Sequence, residues 1–232
     1  MANLMISTAI LKTIPLFGRF SDHELAALFP AIQHRSYPRR SFMLRAREKT
    51  DALYIILSGR AKVLLDDDHG KEVTLSIIGP SQYFGEMSLI DSKPRSASVQ
   101  ALDPCEVLYI SKAAFMACLQ NNFKLVMHLL SNVITRLREA DEKIAGLALM
   151  DVHGRLARLL IDDAKDIAGR WVVETGAEEM ARMVGASREM VSRVIKEMID
   201  SGLVRREKRK IIVLDRASMN QRGAMRCLEN TC

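Results

Sequence analysis

Between residues 123 and 147 apolar side chains recur three and four apart, at Phe123, Val126, Leu130, Val133, Leu137, Ala140, Ile144 and Leu147. An apolar seam sustained over more than three heptads is the mark of a long helix that packs against another helix. No arrangement of β-strands places these positions on one face. The seam is therefore expected to be a dimer interface of two parallel copies, formed by Val126, Leu130, Val133, Leu137, Ala140, Ile144 and Leu147. A helix lying on its own β-domain would show a related stripe, and that alternative stays open at this stage.

The seam divides the chain into two textures. Before it, from about Gln33 to Ile110, runs rich in β-formers are broken by turn residues: Leu53–Leu57, Ala61–Leu65, Val73–Ile78, Ser96–Leu102 and Glu106–Ile110. Ser58-Gly59, Asp66-Asp67-Asp68-His69-Gly70 and Gly79-Pro80 supply turns, so an antiparallel barrel or roll is expected. Ser21-x-x-Glu24 has capping-box form and opens a short helix through Leu28. After the seam, Val152–Ala168 is amphipathic, Arg170–Val173 β-like, and Gly176–Val184 and Ser187–Ile199 are two helices joined at Gly185-Ala186. Leu203–Arg206 and Lys210–Leu214 form a hairpin around Glu207-Lys208-Arg209, which completes a winged helix-turn-helix. The expected class is α+β: roll, residues 1–122; dimerisation helix and hinge, 123–150; winged helix-turn-helix, 151–216; and a poorly ordered tail, 217–232.

Charge sharpens this reading. The net formal charge is +6, and it is unevenly placed. Residues 151–181 carry four basic against seven acidic side chains, whereas residues 182–226 carry twelve against five. A basic segment that coincides with a helix-turn-helix points to nucleic acid more strongly than charge alone. Val184, Val191, Val194 and Ile195 take the inner face, which leaves Ser187, Arg188, Glu189, Ser192, Arg193 and Lys196 outward as the DNA-binding set. Arginine binds guanine O6 and N7 bidentately, glutamate accepts from cytosine N4, and a Ser N-cap at a helix start suits phosphate. Gly185 meets the positive φ of a tight turn, and Ala181 is small where helices cross.

A second constellation is Phe84-Gly85-Glu86-Met87-Ser88-Leu89, followed by Pro94-Arg95-Ser96. Gly85 permits close backbone approach, Glu86 accepts from a hydroxyl, and Arg95 with Ser96 offers a charged fork and a hydroxyl to a phosphate. The bare spacing is equally that of a turn and a surface ion pair.

These motifs resemble the catabolite activator (CRP/FNR) family of bacterial regulators. The resemblance spans about residues 10–214 and rests on Val184-Gly185-Ala186-Ser187-Arg188-Glu189-x-x-x-Arg193 and on the order roll, long helix, winged helix-turn-helix. It implies a homodimer that reads a near-palindromic, TGTGA-type site in double-stranded DNA, with RNA polymerase as a further partner. It also implies a cyclic-nucleotide effector, with Glu86 on the ribose 2′-hydroxyl, Arg95 and Ser96 on the cyclic phosphate, Gly85 contributing backbone, and Met87 and Ser88 in the same cassette. The purine-reading pair of cAMP-responsive members falls on Ala140 and Asp141, where a Thr-Ser or similar polar pair is usual. Losing the threonine hydroxyl removes a hydrogen bond worth about 1 kcal/mol. Aspartate accepts from the N1–H and N2–H₂ donors of guanine better than from the adenine amine. The effector is therefore cAMP, with cGMP or cyclic di-GMP beside it, or no nucleotide at all. On this reading Arg95→Ala abolishes the ligand response and leaves the fold intact.

Other functions fit less well. A nucleotide-binding module acting on a protein partner leaves the winged unit idle. An enzyme lacks a readable nucleophile, base and orienter. Cys105, Cys118, Cys227 and Cys232 and the five histidines show no metal-ligand spacing, iron–sulfur cluster or haem pattern, so no metal is expected. With no signal-type start and no apolar run near membrane length, the expected setting is the reducing cytoplasm.

Overall fold

The computed structural model describes residues 8–18, 20–67, 72–208 and 210–220. Contacts gather the chain into two compact units, Met1–Thr135 and Arg136–Cys232. Residues 68–71 of the expected hairpin turn, Arg209 of the wing turn, and Cys227 and Cys232 lie outside the described residues.

The first unit opens with α1 (Thr8–Thr13) and α2 (Asp22–Leu28), the latter begun by the expected capping box. Ser21 Oγ accepts from the Glu24 amide at 3.3 Å, while Glu24 Oε2 accepts from the Ser21 amide at 2.7 Å. The strands follow: β1 (Ile32–Tyr37), β2 (Phe42–Leu44), β3 (Ala52–Ser58), β4 (Ala61–Asp66), β5 (Glu72–Ile78) and β6 (Tyr83–Phe84). A short helix α3 (Glu86–Asp91) intervenes before β7 (Ser98–Ala101) and β8 (Cys105–Ser111), and α4 (Lys112–Asn121) ends the roll. Two antiparallel sheets, ordered β1-β8-β3-β6 and β2-β7-β4-β5, make the jelly roll. One core within it stacks Tyr54 on Phe84, ring centroids 5.1 Å apart, among Met43, Leu44, Ile56, Val99 and Val107. The other joins Leu53, Ile55, Leu108 and Ile110 to Leu11, Phe17 and Phe115.

The long helix α5 spans Phe123–Leu149, about 40 Å at 1.5 Å per residue. Two faces of it behave differently. Leu125 and Leu129 are buried in the second roll core. The expected seam runs along another face and is exposed in the single chain, from 38% at Val126 through 60% at Leu137 to 64% at Ile144. The stripe that packs on the roll and the seam are thus different residues.

In the second unit, Asp151 caps α6 (Val152–Asp162) through the Gly154 amide at 2.8 Å. Then come β9 (Lys165–Ile167), β10 (Arg170–Val173), α7 (Ala177–Val184), α8 (Arg188–Asp200), β11 (Val204–Glu207) and β12 (Lys210–Val213). The four strands form one sheet ordered β11-β12-β10-β9. The helices close on a core of Leu156, Leu160, Met180, Val191, Val194 and Ile195.

Two expectations need correction here. The amphipathic stretch Val152–Ala168 is not one helix: it ends at Asp162, and a hairpin turns through Ala168 and Gly169, both at positive φ. Residues 217–220, expected within a poorly ordered tail, are helical. Asp215 accepts from the Ser218 amide at 2.9 Å, Arg216 stacks over Trp171 at 4.1 Å, and Met219 is 1% exposed in the core.

Candidate functional site

The cassette of the roll is built around a buried arginine. Gly85 adopts φ +87°, and a Cβ there would stand 2.6 Å from Arg95 Nη1 and 3.0 Å from the Ala52 carbonyl, so only glycine fits. Its carbonyl accepts from Arg95 Nη1. The same nitrogen donates to Ser88 Oγ at 2.6 Å, Nη2 donates to the Ala52 carbonyl at 2.7 Å, and Nε donates to Thr50 Oγ1 at 2.7 Å. Arg95 is 4% exposed and Glu86 2% exposed, both within this cradle. Burial pulls the guanidinium below the usual arginine value, opposed chiefly by Tyr54 and then by Glu86. The β2–β3 loop pins the cassette backbone as well: the Arg47 amide donates to the Arg95 carbonyl at 2.8 Å, and the Arg95 amide donates to the Glu48 carbonyl at 2.9 Å.

The structure therefore brings Gly85, Glu86, Ser88 and Arg95 together. Met87 is exposed, and Ser96 Oγ lies 3.8 Å from its sulfur rather than on the arginine. Thr50 has no signal in the sequence, because its partner is forty-five positions away. The same geometry gives Arg95→Ala a local structural cost besides the loss of ligand response. Removing this side chain takes a donor from the buried Ala52 carbonyl, at a cost of about 1–3 kcal/mol, while the Gly85 carbonyl keeps the Ser88 hydroxyl at 3.4 Å. Ala140 and Asp141 are exposed on α5.

The second constellation lies on α8. Gly185, at φ +66°, makes the turn, and Ser187 caps the helix by accepting from the Met190 amide at 3.1 Å. Val191 and Val194 are fully buried and Ile195 nearly so, so the helix is anchored by one face. Ser187, Arg188, Glu189, Ser192, Arg193 and Lys196 are all exposed on the other, as expected. On the neighbouring wing Lys208 turns at positive φ. Glu207 accepts from Arg170 at 2.6 Å and pairs with Arg205 at 2.8 Å, and the Arg170 hydrogen bond holds its carboxyl below the usual range.

Within this unit the end of α5 is fastened to the helix-turn-helix. Arg155 donates from Nη1 to the Met150 carbonyl at 2.7 Å and from Nε to the Val184 carbonyl at 2.8 Å, bridging the exit of α5 to the end of α7. Glu142 pairs with Arg158 at 2.5 Å. Leu147, a seam residue, lies 3.4 Å from where a Gly185 Cβ would stand.

A jelly roll with a glycine-arginine cassette, a long helix and a winged helix-turn-helix together define a DNA-binding regulator with a sensory roll. Comparison with known proteins agrees. Residues 34–122 match the cyclic nucleotide-binding domain family, and residues 154–222 match the Crp-like helix-turn-helix domain family. The chain is 33% identical over 183 residues to the cAMP-activated global transcriptional regulator CRP of Pasteurella multocida, covering 76% of this chain and 88% of that one. It is 33% identical over 199 residues to the cAMP-activated global transcriptional regulator Vfr of Pseudomonas aeruginosa, covering 82% and 93%. Among solved structures it is similar to the c-di-GMP responsive global regulator CLP of Xanthomonas campestris, with TM-score 0.74 and 25% identity, covering 84% of this chain and all of that one. The chain belongs to the CRP/FNR family of transcription regulators. Among its described residues no helix is long and apolar enough to cross a membrane.

Proposed function

We propose that the protein is a cytoplasmic homodimer that binds a near-palindromic DNA site through α8, responds to a cyclic nucleotide held by its roll, and acts on RNA polymerase. The observation that carries the DNA reading is the two-faced α8. Its buried valines fix the helix while two arginines, a glutamate, two serines and a lysine project from its other side. Residues Arg188, Glu189 and Arg193 read base edges, and Ser187, Ser192 and Lys196 position the helix on the backbone.

The dimer is supported by the exposed seam. Val126, Leu130, Val133, Leu137, Ala140, Ile144 and Leu147 form a coiled coil, and two half-sites one helical turn apart match its symmetry. For the effector, the buried Arg95 cradle supports a phosphate ligand: phosphate exchanges for part of the existing hydrogen-bond set, with Ser88 and Ser96 supplying hydroxyls and Gly85 backbone. Glu86 takes the ribose hydroxyl and Met87 covers the ligand edge, and the family resemblance carries the purine-reading role to Ala140 and Asp141.

The favoured effector is cAMP, since the relatives at 33% identity are cAMP-activated regulators. Asp141 and the likeness to a c-di-GMP responsive regulator support a guanine nucleotide, cGMP or cyclic di-GMP, as the second reading. Fluorescence anisotropy tests the proposal: a labelled TGTGA-type palindrome and a scrambled duplex are titrated at fixed salt, alone and with cAMP, cGMP or cyclic di-GMP. Preference for the palindrome that strengthens with one nucleotide is expected. Equal affinity for both duplexes under every condition refutes it.

A further inference from the structure

Among the exposed residues of α8, one arginine is held differently from its neighbours. Arg193 Nη2 lies against the thioether sulfur of Met190, one helical turn back, as donor to a weak acceptor. Met190 is itself fixed at both ends. Its amide donates to the Ser187 cap, and its side chain is half-buried, packed against the core that holds Val191 and Val194. A thioether is a weak but polarisable acceptor, and its hydrocarbon arm here packs, half-buried, against the domain core.

We infer that Met190 is a positioning and specificity-determining residue for DNA recognition, acting through Arg193. This rests on the proposed role of Arg193 as a base reader. A free arginine side chain carries about 2 kcal/mol of rotamer entropy, part of which is lost when its planar fork meets a base edge. Resting the guanidinium on a thioether whose arm packs against the core reduces that loss before DNA arrives. The benefit goes to the geometry in which the fork is correctly aimed, so Met190 raises the ratio between right and wrong base pairs rather than overall affinity. Phosphate contacts, which tolerate many rotamers, gain little from it.

The test measures binding of the full-length protein to a palindromic operator and to operators substituted one base pair at a time. Wild type, Met190→Leu, Met190→Gln, Arg193→Ala and the Met190→Leu/Arg193→Ala double variant are compared. Leucine keeps the apolar volume and removes the acceptor, and glutamine returns an acceptor oxygen. The expected result is a loss of about three- to tenfold in discrimination at the base pair read by Arg193 for Met190→Leu, with the dependence of affinity on salt unchanged. Glutamine retains the wild-type ratio, and in the Arg193→Ala background the leucine substitution does nothing further. Unchanged discrimination in Met190→Leu overturns the inference. So does an equal loss with and without Arg193, or a loss in Met190→Gln as large as in leucine. Should Arg193→Ala alone leave discrimination intact at every base pair, both this inference and the assignment of Arg193 as a reader fall. If Arg193→Ala relaxes it and Met190→Leu does not, only the role of Met190 falls.

Discussion

Replacing Leu137 by alanine separates the two faces of α5. Leu137 is 60% exposed in the single chain, whereas Leu129, two turns earlier, is 4% exposed within the roll core. Full burial of a leucine side chain is worth about 1.5–3 kcal/mol, so the part of Leu137 still open to water is worth about 1–2 kcal/mol when a partner helix covers it. Symmetry places the same contact on both protomers, giving about 2–4 kcal/mol per dimer, or a weakening of self-association from about thirty-fold to several-hundred-fold. The folded roll loses nothing in that account. Leu129→Ala does the reverse: it opens a cavity in the roll and costs about 2–5 kcal/mol of its stability while leaving the seam intact. Sedimentation equilibrium over a wide concentration range reads the first effect, and urea denaturation of the roll signal reads the second. An unchanged dimerisation constant in Leu137→Ala, or loss of roll stability equal to that of Leu129→Ala, refutes the assignment of the exposed face as the interface.

Further outcomes follow from single side chains. Gly85→Ala drives a Cβ to 2.6 Å from Arg95 Nη1, so it displaces the guanidinium and is expected to abolish cyclic-nucleotide binding measured by calorimetry. Arg193→Ala is expected to relax base preference at one position by about 1–3 kcal/mol, while Lys196→Ala weakens binding to all sequences alike and lowers the salt slope, both read by operator titration. Burial pushes the Tyr54 phenol up to about 12 from its ordinary 10. A raised folded value means that the folded state holds its proton longer, so this stability is complete below pH 10 and is lost as pH rises from 10 to 12. Alkaline denaturation should accordingly set in at higher pH in Tyr54→Phe. Hydrogen bonds from the Ser21 amide and hydroxyl hold the Glu24 carboxyl below its ordinary value of 4.5. The capping box therefore contributes stability above that value and loses it as pH falls through the lowered one, and Glu24→Gln should flatten the acid limb of a stability–pH curve.

What was legible in the sequence is what short-range chemistry determines. The capping box at Ser21 and Glu24, the αL turn at Gly185 and the wing hairpin all depend on residues a few positions apart, and each formed where expected. The seam was legible because helical periodicity persists over its length, but its meaning was not: Leu125 and Leu129 lie just beside Val126 and Leu130, and only packing tells the roll-facing stripe from the open one. The end of α6 inside the amphipathic stretch Val152–Ala168 carries no sequence signal, because no glycine or proline marks Asp163, where the cap is a main-chain bond to Leu159. Thr50 and Ala52 were invisible as parts of the cassette, since only the folding of the roll brings residues more than forty positions apart to Arg95. Ordering of residues 217–220 was missed for a related reason, because Met219 reads as an isolated apolar residue until the core it enters exists.

The central claim is that nucleotide held at Arg95 and DNA held at α8 are coupled. Coupling between two ligands is reciprocal: the factor by which one tightens the other is the same in both directions. The most direct measurement is a closed cycle, with the dissociation constant of the palindrome taken with and without saturating cAMP, and that of cAMP taken with and without saturating palindrome. The account predicts one shared factor of about 5–150, the usual range for coupled sites, lost in Gly85→Ala. A factor of one in both directions for cAMP, cGMP and cyclic di-GMP alike contradicts it.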